Sequence, residues 1–94
     1  MKKDYQFPHL SAWVKRSSQL LRLTRDEIVR SSRMCSQKAS DVWNGKDIRI
    51  SYYIKVFKLL FDRSDNPRYK LTRRQMIESL IDALLKELNA LSEK

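Results

Sequence analysis

The sequence predicts an all-α fold: a bundle of four to five short helices containing a helix-turn-helix, followed by a long C-terminal helix. Three observations predict it. Apolar residues recur with the 3.6-residue helical period, and no window sustains a strand-like alternation. One Gly and two Pro in 94 residues leave few turn formers. Two segments, Thr24-Arg25-Asp26-Glu27 and Thr72-Arg73-Arg74-Gln75, carry the reciprocal capping pattern that starts helices.

Residues 1–9 read as a basic arm with Tyr5 and Phe7 as aromatic punctuation. Pro8 suits a helix start, because its missing amide has no intrahelical partner there. The first helix is expected from about Leu10 to Leu21, with Leu10, Trp13, Val14, Leu20 and Leu21 as its apolar stripe and Ser17 and Ser18 weakening the middle. Thr24 caps the second helix, and Leu23 and Ile28 staple its entry; Ile28 and Val29 face inward. Met34-Cys35 fills a turn, in which Cys35 is expected to be buried. The third helix covers about Ser36 to Trp43 and turns Ala39, Val42 and Trp43 to the core. Asn44-Gly45 stops it, since both residues tolerate a left-handed backbone. Ile50, Tyr53, Ile54, Phe57, Leu60 and Phe61 mark the core face of a fourth helix, closing the domain at residue 62. Residues 63–70 form a polar connector around Asn66-Pro67, where the proline biases its predecessor to extended backbone. The last segment, 71–94, is a long helix with Leu71 and Met76 as its staple.

Composition narrows the function classes. A net charge of +9 suits nucleic acid, anionic lipid or an acidic protein, or serves solubility alone. One cysteine excludes an internal disulfide framework and cannot alone build a zinc site. No apolar run approaches the roughly 20 residues a membrane span needs. No apolar segment follows Met1-Lys2-Lys3, so no secretory signal is expected and the cytoplasm, at the nucleoid, is the default location. His9 is the single histidine, no glycine-rich phosphate loop is present, and Glu27 is accounted for by capping. No catalytic residue, metal or cofactor is expected.

The segment from Leu10 to about Phe61 resembles the Cro/C1-type, lambda-repressor-like (XRE) helix-turn-helix family. The family opens its second helix with Leu-Ser/Thr followed by Gln-Glu-Glu-Leu-Ala, where this chain has Leu23-Thr24-Arg25-Asp26-Glu27-Ile28-Val29. It ends its third helix with a pattern like Ser-x-Ile-Glu-Asn-Gly-Lys, where this chain has Ser40-Asp41-Val42-Trp43-Asn44-Gly45-Lys46. Leu10 and Val14 match its first helix, and Ile50, Tyr53, Ile54 and Leu60 its fourth. Three positions depart: Arg33 stands at a turn position usually held by Gly, Cys35 replaces a Ser/Thr cap, and Ser17 replaces an apolar residue. A side chain at the Gly position implies a strained or altered turn, and Cys is a poor cap.

The resemblance implies double-stranded DNA as partner. In that reading the third helix enters the major groove and its first residues meet base edges. Ser36, Gln37 and Lys38 fall there by family position. A glutamine amide can pair bidentately with adenine, and a lysine can donate to guanine. Ser40 and Asp41 lie one turn on; Asp41 either accepts from cytosine or is a solvated charge that repels phosphate. Arg25 matches a position that braces against the backbone, and Asn44 and Lys46 match phosphate-contacting positions. Lys2 and Lys3 either track the backbone or are disordered. Arg63, Arg68, Lys70, Arg73 and Arg74 either widen the phosphate footprint or form a solvated face, and Trp13 and Trp43 belong to the core rather than to base stacking.

The last helix lies outside the resemblance. Its stripe of Ile77, Leu80, Ile81, Leu84, Leu88 and Leu91 either pairs with a second copy or folds back on its own domain; its width favours pairing. The expected function is a sequence-specific transcriptional regulator, a repressor, acting as a homodimer on an inverted-repeat operator. The alternative is an antitoxin that docks on a toxin through its last helix or its arm and represses its own operon. A basic architectural protein without base preference is a third, weaker reading.

Overall fold

Five helices follow one another in the computed structural model, which describes residues 6–64 and 72–92 except for the side chains of residues 91 and 92. They are α1 (Pro8–Leu20), α2 (Arg25–Ser32), α3 (Ser36–Trp43), α4 (Ile50–Ser64) and α5 (Arg73–Ser92). The expected basic arm at Lys2 and Lys3, Tyr5, the connector at Asn66-Pro67, Arg68, Lys70, Leu71 and the side chain of Leu91 lie outside the described residues.

Helix α1 begins two residues earlier than its apolar pattern indicates. Pro8 occupies its first turn, and Phe7 supplies no side-chain cap. Its free first-turn amides are satisfied from far along the chain: the Glu87 carboxylate of α5 accepts from the backbone N–H of His9 (2.7 Å) and of Leu10 (2.9 Å). Glu87 is itself buried. A carboxylate complements both the free donors and the positive end of the helix dipole. The helix ends without glycine. Arg22 takes the left-handed conformation (φ 57°), and the amides of Arg22 and Leu23 donate to the carbonyls of Gln19 and Ser18. That is the paired closure glycine usually provides, at a cost of about 1–2 kcal/mol for a side chain in that region.

The core combines Leu10, Trp13, Val14, Leu21, Leu23, Ile28, Met34, Ala39, Val42, Tyr53, Val56 and Leu60 with Met76 and Ala83 of α5. Trp13 stacks edge-on against Phe57, centroids 5.1 Å apart, and donates its indole N–H to Ser79 Oγ at 2.8 Å. Its placement inside agrees with the sequence reading. Ser17 and Ser18, expected to weaken the middle of α1, are buried in its last turn, and the Ser18 hydroxyl is satisfied by the Val14 carbonyl.

Three expected core residues are exposed. Leu20 is 54% exposed because it falls at the rim of a groove between α1 and α5, beside Arg16, Gln75 and Ser79. Ile50 and Ile54 are 64% and 43% exposed, and Val56 is buried in their stead. The buried face of α4 runs through Tyr53, Val56, Leu60 and Ser64, rotated away from the expected stripe. Several apolar faces fit the same α4 sequence, and the neighbours α1, α2, α3 and α5 select among them.

Helix α5 folds back along α1, its most extensive contact. Met76, Ala83 and Glu87 form its inner side, with Leu80 half-buried beside them. The second capping pattern is present: Gln75 N–H donates to Thr72 Oγ1 and Thr72 N–H to Gln75 Oε1. No helix among the described residues is long and apolar enough to cross a membrane.

Candidate nucleic-acid interface

The unit α2–turn–α3 is built from its caps inward. Thr24 and Glu27 exchange the expected reciprocal bonds at the start of α2. Those bonds from the Thr24 backbone and hydroxyl hold the Glu27 carboxyl below its ordinary value, so it stays ionised at the positive end of the helix. Arg33 closes α2 in the left-handed conformation (φ 58°), the strained turn its sequence position implies. Met34, not Cys35, is the buried residue of the turn. The expectation for Cys35 fails: it is exposed, because one inward-facing residue fills the space between α2 and α3. Cys35 stands at the N-cap of α3 and makes no side-chain capping bond.

The far end of α3 is fixed more firmly. Gly45 adopts φ 72°, whereas Asn44 keeps an ordinary φ of −91°. The amides of Gly45 and Lys46 donate to the carbonyls of Val42 and Asp41, closing the helix. A side chain at Gly45 would also lie 2.7 Å from the Phe7 carbonyl oxygen. That closeness is used: Phe7 N–H donates to the Gly45 carbonyl at 2.6 Å, in a short bridge between Gln6 and Lys46. Ser11 Oγ donates to the Trp43 carbonyl, and the Tyr53 hydroxyl to the Lys46 carbonyl. Burial, followed by the charges of Asp47, Glu87 and Asp41, drives the Tyr53 phenol well above its usual range, so it remains a donor. Helices α1 and α4 thus hold the carbonyl end of α3 in place. Sequence reading placed Tyr53 on the core face of α4 and Phe7 in a basic arm as aromatic punctuation, but named neither for these polar roles.

With Ala39 and Val42 inside and Trp43 half-buried, α3 turns a polar side outward. Gln37 and Asn44 are exposed, and Ser40 and Asp41 are half-buried. Two bonds one turn apart organise this face: Gln37 Nε2 donates to Asp41 Oδ1 at 3.0 Å, and Asn44 Nδ2 approaches Ser40 Oγ at 3.5 Å. Ser36 is exposed at the start of the helix. Lys38 is half-buried and carries its ammonium over the Tyr52 ring, 5.4 Å from the centroid. It therefore sits at the α4 edge, not beside Gln37. Arg25, at the first turn of α2, and Lys46, just after α3, are both exposed. Tyr52, the support of Lys38, is a residue that sequence reading did not single out; no periodicity signals a cation over a ring.

A second surface lies on α5. Ile77 (49%), Ile81, Leu84, Leu85 and Leu88 (60%) are all exposed, next to the side that packs on α1. Of the expected pairing stripe, Leu80 alone among the described side chains turns partly inward.

No family model, curated protein or solved structure matches this chain.

Proposed function

We propose that the chain is a sequence-specific DNA-binding transcriptional regulator, a repressor, in which α2 and α3 act as a helix-turn-helix and α3 enters the major groove. The observation that carries the reading is the outward side of α3. Gln37, Ser40, Asp41 and Asn44 present hydrogen-bonding groups on a short helix whose other side is anchored in the core. A net charge of +9 supplies the sequence-independent attraction to phosphate. Gln37 reads a base, Ser36 and Ser40 assist, Arg25, Asn44 and Lys46 contact phosphate, and Lys38 reaches the duplex from the α4 side.

The exposed stripe on α5 supports action as a homodimer. Five large apolar side chains facing solvent on one helix are more than scattered surface residues, and a two-fold pair of such helices would bury them. Two copies of α3 would then meet half-sites about one DNA turn apart. The same stripe fits a heterologous partner such as a toxin; sedimentation of the purified chain separates the two, since a homodimer forms without any added protein.

Duplex titration tests the reading. Affinity falls steeply with added salt, and Gln37→Ala removes about 1–3 kcal/mol of discrimination at one base position while bulk affinity changes less. Equal discrimination by the variant would refute the placement of the reading face.

A further inference from the structure

We propose that Asp41 is a specificity-determining positioning residue, which fixes the Gln37 amide so that it reads adenine. The proposal rests on the DNA-binding reading above and concerns how that site selects its base. Gln37 and Asp41 stand one turn apart on α3, and Gln37 Nε2 donates to Asp41 Oδ1 at 3.0 Å. A glutamine amide has two N–H donors and one oxygen. Bidentate pairing with adenine uses one N–H, donated to N7, and the oxygen, which accepts from N6. The bond to Asp41 occupies the remaining N–H and leaves both reading groups free.

The bond also decides the orientation of the amide. Asp41 as a carboxylate only accepts, so it selects the nitrogen of Gln37 and turns the oxygen away. A free glutamine rotates about its terminal bond and offers either end to a base. Held by Asp41, it offers a fixed order of donor and acceptor. The backbone beneath is equally fixed, because the Asp41 carbonyl accepts the Lys46 amide at 2.8 Å in the closure of α3. In open water an exposed pair of this kind is weak. In a groove from which water is displaced the same bond gains strength. The carboxylate has a second consequence: its charge opposes phosphate, so it lowers overall affinity while it sharpens choice.

A fixed order of donor and acceptor is separable from bare hydrogen bonding by substitution. Asp41→Asn loses the charge and gains an N–H donor, so it can bond either end of the Gln37 amide and no longer sets its order; Asp41→Ala loses the bond altogether. Duplexes randomised at each position are selected with the full-length chain, its two Asp41 variants and Gln37→Ala, and binding is followed across salt concentrations. Asp41→Ala is expected to lose about tenfold preference at the base position that Gln37→Ala also relaxes, and Asp41→Asn is expected to lose much of it too. Both Asp41 variants bind random duplex more tightly than the parent. If either Asp41 variant keeps the preference that Gln37→Ala loses, positioning by the acceptor is overturned while base reading by Gln37 stands. If Gln37→Ala keeps the preference too, or the parent fails to bind duplex, the DNA-binding reading itself is overturned.

Discussion

Helices α3 and α5 each bury one side and expose another, and the two exposed sides differ in kind. That of α3 consists of amide, hydroxyl and carboxylate groups bonded to one another across a helical turn. That of α5 consists of isoleucine and leucine, interrupted by ion pairs such as Lys86–Asp82 only on other parts of the helix. Polar groups that already have partners lose little on exposure to water and keep further donors and acceptors for base edges. Apolar groups exposed to water gain free energy only by being covered, at roughly 25 cal/mol per Å². The two faces therefore suit different kinds of contact, one hydrogen-bonding, the other apolar. Under the proposed function, recognition and assembly fall to separate helices of one core.

The largest expected effect comes from the inner side of α5. Met76 is fully buried beside the core of α1–α4. Met76→Ala is expected to destabilise the whole chain by about 2–5 kcal/mol, measured by urea unfolding. A much smaller loss, with two separate transitions, would show that α5 is an appendage and not part of the core. The outer side is tested next. Ile81→Glu combined with Leu84→Glu, both at exposed positions, is expected to give a folded monomer whose affinity for a two-half-site duplex falls by about 10²-fold or more. A sedimentation coefficient unchanged from the parent's would remove the α5 stripe as the dimer interface. The smallest effect concerns the start of α2. The Glu27 carboxyl lies below its ordinary 4.5 in the folded chain. Its contribution is complete above that value and is lost as pH falls through the depressed one. Glu27→Gln keeps a capping partner, as Gln75 does for α5, and is expected to flatten the acid limb of the thermal stability curve below about pH 4.5. An identical acid limb in the variant would mean that the capping bonds do not govern ionisation there.

Much of this was legible in the residues. Both capping patterns, the bounds of α3 at Ser36 and Trp43 and the stop at Gly45 follow from local chemistry, which depends on neighbours in sequence, whereas the strained Arg33 was expected from the family resemblance. What was not legible depends on distant partners. Glu87 lies far along the chain from the α1 amides it caps, and no spacing rule connects them. The exposure of Ile50 and Ile54 follows from which face of α4 its neighbours cover. Arg22 closes α1 without glycine, so it carries no turn signal. In the candidate site, Gln37 and Asp41 were each named by their place in the family resemblance; that they bond to each other emerges only once their rotamers are fixed.

Selection of bound fragments from random duplex by the purified chain tests the central claim most directly. The account predicts enrichment of an inverted repeat with half-sites about one DNA turn apart, and loss of one conserved position of each half-site with Gln37→Ala. Recovery of fragments with no common sequence, bound with the same affinity as the starting pool, would contradict it.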